Sequence, residues 1–227
     1  MGPHTIYPSD LKVGVVINTS SGGCDSNCDG EMLDILEGAG IVEAKIWCGE
    51  ADQMERSFKE AALQELDVLV ALGGDGTIRR AAEVCAAQGR YLIPLPGGTM
   101  NMLARALYGD VSWQDALNKI LAAPSAKTLS GGRVADKQFL IAAIVGAPTL
   151  WAEARESIRE RDISDAIEKG TAAFESMFAT KVRYFISKVK KGEAEAVAVI
   201  CPLISEEMSD SEQAFEAAAI EVGNVLK

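Results

Sequence analysis

The 227-residue chain has one histidine, His4. That scarcity nearly excludes a Ser-His-Asp or Cys-His catalytic arrangement and any histidine-rich zinc site. Chemistry must fall to carboxylates, hydroxyls, backbone amides and a bound ion. Cysteines are few, odd in number and irregularly spaced, at Cys24, Cys28, Cys48, Cys85 and Cys201. They read as free thiols in a reducing compartment, not as a disulfide framework. Cys24 and Cys28 have the spacing to pair or share a metal, but no other close Cys or His completes a metal set. Positive charge is also short: 22 Lys and Arg face 33 Asp and Glu, for a net charge of -11. This argues against nucleic acid as the main partner. No apolar run reaches about 18 residues, so no membrane span is expected. No charged-then-apolar leader opens the chain, so the expected location is the cytoplasm. Internal repeats and low-complexity tracts are missing too.

What is present is the composition of a globular protein, 48% hydrophobic and 24% charged. A chain this long can bury a real core. Two loops organise it. Asp67 to Leu72 is an apolar run broken by Gly73-Gly74-Asp75-Gly76-Thr77, after which a helical pattern begins. Ile93 to Pro96 is followed by Gly97-Gly98-Thr99-Met100-Asn101, and again a helical pattern begins. A strand, a glycine turn and a helix start make a phosphate site for physical reasons. Glycine lets an oxygen approach the backbone, and the first amides of a helix have no intrahelical partner and favour an anion. Thr77 can cap the helix or donate to a phosphate. Asp75 would repel phosphate unless a cation lay between them, which points to a magnesium-nucleotide. The competing view is a plain turn with Asp75 as a cap; the second glycine loop one unit downstream favours phosphate binding.

In chain order, Lys12 to Asn18 reads as a first buried strand. Thr19-Ser20-Ser21-Gly22-Gly23 follows as a third candidate nucleotide contact, with an ordinary polar turn as its equal alternative. Glu31 to Leu36 starts a helix closed by Gly38 and Gly40. Ile41 to Trp47 reads as the second strand, Ala51 to Leu66 as a helix, Val68 to Leu72 as the third strand, Thr77 to Gln88 as a helix and Tyr91 to Pro94 as the fourth strand. Short helices follow at Asn101 to Leu107 and Ser112 to Ala122. Alternation of this kind predicts an α/β domain, doubly wound around a mainly parallel sheet. Ligands of such sheets collect outside the carboxyl ends of the strands, where the loops at Asn18, Gly73 and Gly97 all lie.

Ala123-Pro124-Ser125-Ala126 reads as a boundary, giving a nucleotide domain over 1–125 and a second, β-rich, incomplete domain over 126–227 in which antiparallel strands mix with helices. There, Thr128 to Val134 and Gln138 to Val145 read as a hairpin, Thr149 to Lys191 as a helical stretch broken near Gly170, Ala194 to Leu203 as a strand, and Ser211 to Val225 stays ambiguous. Ser176 to Gly192 carries Lys181, Arg183, Lys188, Lys190 and Lys191 with no acidic residue. It reads either as a surface for anionic lipid headgroups or as a helix with a solvated basic face.

Three segments carry a family resemblance: Asn18-Thr19-Ser20-Ser21-Gly22, Gly73 to Thr77, and Pro96-Gly97-Gly98-Thr99-Met100-Asn101 with Ala104-Arg105. In order and spacing across roughly the first 110 residues, the sequence resembles the diacylglycerol kinase catalytic-domain family, which also holds sphingosine and other lipid kinases. The Gly-Gly-Asp-Gly-Thr segment alone is shared with NAD kinases; the Gly-Thr-x-Asn-x-x-Ala-Arg continuation favours the lipid branch. The resemblance implies ATP contacts from Asn18, Thr19, Ser20, Ser21, Gly22, Gly73, Gly74, Asp75, Gly76 and Thr77, with Gly98, Thr99 and Asn101 lining the phosphates. It implies magnesium held through Asp75 as the catalytic carboxylate, and phosphoryl transfer to a diacylglycerol- or sphingosine-like hydroxyl, at a membrane surface and with the oligomeric state open.

Departures from the family pattern are Thr19 for Pro, Arg79-Arg80 for Asn-Glu and Met102 for Asp or His. The late Asp-Gly-Glu that supplies the proposed general base has no counterpart in the second unit; Asp29-Gly30-Glu31 lies near the first loop. A shortened member is therefore expected. An NAD-kinase-like small-molecule kinase and a non-catalytic nucleotide- or lipid-binding protein are the alternatives.

Overall fold

The computed structural model describes residues 7–25, 27–146, 181–186, 190–194, 196–205 and 215–220. The chain divides into two compact units, Met1–Thr128 and Leu129–Lys227.

The first unit is built on strands β1 (Val13–Asn18), β2 (Lys45–Gly49), β3 (Val68–Gly73) and β4 (Tyr91–Pro96), all parallel, in the order β2-β1-β3-β4. Helices α1 (Cys28–Gly38), α2 (Met54–Ala62), α3 (Asp75–Gln88), α4 (Met102–Tyr108) and α5 (Trp113–Ala122) alternate with them or follow them. β3, and β1 as far as Ile17, are apolar throughout because both of their faces are covered. Val13, Val15 and Ile17 share one core with Val70, Leu72, Met32 and Leu36 of α1, and Trp113 and Leu117 of α5. The other face meets α2 and α3, which bury Phe58, Ala61, Ile78 and Ala81. The α/β, doubly wound expectation is thus met.

Element boundaries moved for local reasons. The second strand begins at Lys45 and not Ile41, because Gly40 (φ +85°) ends α1 and the Ile41 amide turns back to the Leu36 carbonyl at 2.9 Å. Ile41 is then spent as a buried helix stop. α2 is shorter than the apolar spacing predicts. Its C-terminal carbonyls are held from outside: Arg90 donates to Ala61 O at 3.0 Å and Gln88 to Ala62 O at 2.6 Å. Ser112 caps α5 through the Asp115 amide, at 3.0 Å.

The second unit contains β5 (Gly132–Val134), β6 (Lys137–Phe139), β7 (Ala142–Gly146), β8 (Val182–Ile186), β9 (Lys190–Ala194), β10 (Ala196–Ile200) and β11 (Glu216–Ile220). The described pairings are antiparallel: β5 with β6, β8 with β9, and a sheet ordered β11-β10-β7. Two expectations are corrected here. The hairpin around Ala135-Asp136 is short, and 142–146 leaves it to pair with β10. At the end of the expected long helix, 182–186 and 190–191 are instead in antiparallel paired strands. Val182, Tyr184 and Phe185 are strand formers, and Val182, Arg183, Tyr184 and Phe185 alternate half-buried and exposed, the period of a strand. Residues 149–180 of that helix, which include the start of the basic stretch, then Lys188, and most of Ser211 to Val225 lie outside the described residues. The part of the last segment that is described is strand β11.

Candidate functional site

In a parallel sheet all strands end at one edge. Here that edge is formed by Asn18, Gly49, Gly73 and Pro96. The chain runs outward from β1 to β2, then returns to place β3 on the other side of β1. The crevice between β1 and β3 is therefore the switch point of the sheet, where such folds bind ligands. The loops after β1, β3 and β4 all open at this edge.

The loops are joined backbone to backbone. Gly97 N donates to Gly73 O at 3.0 Å, and Gly23 N donates to Gly97 O at 2.8 Å. A Cβ on Gly97 would stand 2.8 Å from Gly73 N, and one on Gly98 2.5 Å from Gly74 Cα. A Cβ on Gly73 would meet Thr77 Cβ and Oγ1 at 2.7 Å. These glycines let two loops and a helix start touch. This refines the sequence reading, in which Gly73, Gly74 and Gly76 made room for phosphate: the space at Gly73 is taken by Thr77, whereas a Cβ on Gly74 would meet only Gly98 Cα, at 3.6 Å. Gly76 and Gly22 differ. A Cβ on either meets nothing within 4 Å. Protein packing does not require glycine there, and a helix start carrying glycine gives up stability relative to alanine. Space left open at the first turn of α3 fits an anion cradle.

Asn18 locks β1 to α3. Its Nδ2 donates to Thr77 Oγ1 at 3.0 Å, and its Oδ1 accepts from the Ser20 amide at 3.1 Å. Thr77 is buried. It is neither the cap of α3 nor placed at the surface. Its hydroxyl accepts from Asn18 and retains its own proton for donation. Gly74 is the N-cap of α3, with no side-chain cap bond. Asp75 is the first residue of the helix, partly exposed, and accepts no hydrogen bond from the described residues. The capping role considered for Asp75 is therefore not the one it takes. Within the first loop Ser21 is buried, Thr19 N bonds to Gly49 O at 2.9 Å, and Ser20 Oγ accepts from Ala51 N at 3.1 Å.

The third loop is clamped from within. Asn101 Oδ1 accepts from Gly98 N, and its Nδ2 donates to Gly98 O, both at 2.7 Å. Asn101 sits in the left-handed region (φ 50°), where asparagine is the best tolerated residue after glycine. Thr99, beside it, is exposed. Arg79 and Arg80, which depart from the family pattern, point away from the loops' joint: Arg79 pairs with Glu83, and Arg80 grips Glu55 of α2 through two bonds of 2.9 Å. That hydrogen-bonded guanidinium holds the Glu55 carboxyl below the usual range. Asp29 and Glu31 fall in the first turn of α1, where Glu31 accepts from Gln114 at 2.8 Å.

The structure thus brings together Asn18, Thr19, Ser20, Ser21 and Gly22 with Gly73 to Thr77 and Gly98 to Asn101. Sequence reasoning named Gly23 and Gly97 only as members of their loops; their backbones tie the three loops together. Their only sequence signal is a second glycine beside one already chosen. Among the described residues no trio of His, Cys, Asp or Glu is arranged to hold a metal. A lone Asp75 suits magnesium, which keeps waters and takes most remaining ligands from phosphate.

Residues 12–133, more than half the chain and all three loops, match the diacylglycerol kinase catalytic domain. The chain belongs to the diacylglycerol kinase catalytic-domain family. A solved structure of a diacylglycerol kinase from Bacillus anthracis str. Sterne is 21% identical, with a TM-score of 0.56 over 83% of this chain and 63% of that one. Two more from that organism, provisionally assigned as diacylglycerol kinases, are 20% identical with TM-scores of 0.58 and 0.59. Each aligns with 83% of this chain, which spans 64% of theirs. At such identity the structural likeness speaks for the fold alone. In this diacylglycerol kinase-family chain, no described helix is long and apolar enough to cross a membrane.

Proposed function

We propose that the chain is an ATP-dependent lipid kinase, moving a phosphoryl group from a magnesium-nucleotide to a hydroxyl of a diacylglycerol- or sphingosine-like lipid. The observation that carries this reading is the open first turn of α3, set at the β1–β3 crevice and flanked by the glycine loops after β1 and β4. In it, the α3 amides at Asp75, Gly76 and Thr77 bind phosphate oxygens, and Thr77 donates its remaining proton to one of them. Asn18 positions that hydroxyl. Gly98, Thr99 and Asn101 form the opposite wall, and the loop from Thr19 to Gly22 closes over the nucleotide.

Asp75 is the carboxylate at the start of α3 and acts through magnesium, which when bound offsets the charge of the phosphates. Phosphoryl transfer asks mainly for such positioning and charge stabilisation, so a site without histidine or a nucleophile suffices. The unit before the boundary at 125 takes the nucleotide, and the β-rich unit takes the acceptor. A lipid acceptor places the protein at a membrane surface, on the cytoplasmic side that supplies ATP.

The test is transfer of label from γ-labelled ATP with magnesium. Acceptors are phosphatidylcholine vesicles carrying diacylglycerol or sphingosine, and NAD in solution. Label in the lipid supports the proposal. Label in NAD alone moves the chain to small-molecule kinases. Tight ATP binding with no transfer marks a binding protein.

A further inference from the structure

The thiols of Cys24 and Cys28 stand beside the first loop and take no part in the phosphate site. Cys28 opens α1 and is buried; Cys24 is half-buried. The Asp25 amide donates to Cys28 Sγ at 3.1 Å. Because that amide is bonded to the Cys24 carbonyl carbon, the Cys28 sulfur lies within about 5.5 Å of Cys24 Cα, and the two thiols are hydrogen-bonded to each other. Cys24 and Cys28 both line one cavity of about 160 Å³ with Gly22, Gly23 and Glu31. Burial first, then the neighbouring Cys28, pushes the Cys24 thiol up to about 12. Burial also raises Cys28. The reduced pair therefore gains nothing from a stabilised thiolate that would resist oxidation at equilibrium, though exchange is slow.

Cys24 directly follows Gly23, whose amide holds the first loop to Gly97. Closing a sulfur–sulfur bond to about 2.05 Å draws Cys24 toward Cys28 at the start of α1, one residue from that contact. We propose that Cys24 and Cys28 are a redox modification site, forming a reversible disulfide by exchange with a small-molecule disulfide, and that this bond withdraws the first loop from Gly97 and weakens nucleotide binding. The affinity effect rests on the nucleotide reading above. In the exchange, one protein thiolate attacks the small disulfide and releases one thiol; the second attacks the mixed disulfide and releases the other. Two protein S–H bonds become one S–S bond, and the small disulfide is reduced to two thiols.

The full chain is incubated in oxidised and reduced glutathione mixtures and read by peptide mass mapping, by hydrogen exchange at the Gly23 amide and by magnesium-ATP titration. Expected are a Cys24–Cys28 link reversed by dithiothreitol, faster exchange at Gly23 and about fivefold weaker ATP binding, the scale of one lost hydrogen bond. Cys24→Ser should abolish all three responses and Cys48→Ser should keep them. Glutathione captured only on Cys48, a link through Cys48, or a Cys24–Cys28 link with unchanged Gly23 exchange overturns the proposal. If the reduced chain binds no ATP, the nucleotide reading fails, while the link and the Gly23 exchange still decide the thiol site.

Discussion

Replacing Gly76 with alanine separates what the fold needs from what a ligand needs. A Cβ there meets no atom within 4 Å, and the residue lies in the first turn of α3. Alanine loses less backbone entropy on folding than glycine, so the apo protein should gain about 0.5–1 kcal/mol. For a chain of 227 residues that raises the melting temperature by about 1–4 °C. If phosphate lies against this turn, the methyl group occupies its space. A displacement costing about 1.4 kcal/mol weakens magnesium-ATP binding about tenfold. Thermal unfolding without nucleotide and calorimetric ATP titration read the two effects, which run in opposite directions. A more stable variant that binds ATP as tightly as the parent would refute the placement of phosphate on α3. Gly98→Ala is the contrast. Its Cβ would sit 2.5 Å from Gly74 Cα, so stability and binding should fall together.

Asp75→Asn keeps shape and removes charge. Magnesium should then add little to ATP affinity, while the fold loses only about 0.3–1 kcal/mol of helix-dipole stabilisation; an unchanged magnesium dependence in ATP titrations would count against the metal role. Asn18→Ala strips the buried Thr77 hydroxyl and the Ser20 amide of their partner, and should cost about 1–3 kcal/mol in urea unfolding along with ATP affinity. Arg90→Ala frees carbonyls at the end of α2 and should destabilise the chain by about 1–2 kcal/mol without changing ATP affinity in the same titration. On the paired strands β8 and β9, Phe185 is 77% exposed and pairs with the exposed Lys191, and the exposed Lys181 and Arg183 lie on the same stretch of chain. A Lys181, Arg183 and Lys191 to Glu triple variant should lose salt-sensitive co-sedimentation with anionic vesicles, and equal sedimentation of parent and variant would exclude this surface from docking.

The sequence by itself determined the parallel α/β unit and the neighbourhood of the site. β1 and β3 are continuous apolar runs ending in glycine or polar loops, and local patterning is enough to name such strands and the edge where their loops meet. With His4 as its one histidine, it also nearly excluded histidine chemistry. The second unit was harder to read, because Val182 to Ile186 follows helix-compatible sequence and its strand character depends on pairing with Lys190 to Ala194. Tertiary structure alone decided what each glycine and hydroxyl does. Gly73, Gly97 and Gly98 spend their missing side chains on contact between loops, whereas Gly76 leaves its space open. Thr77 turned inward to Asn18, 59 positions away in the chain. Cys24 and Cys28 came to share a cavity with Trp113 and Gln114 of α5. These are distances between segments remote in sequence, set by the order in which β1 and β3 pair, and a local pattern carries no record of them.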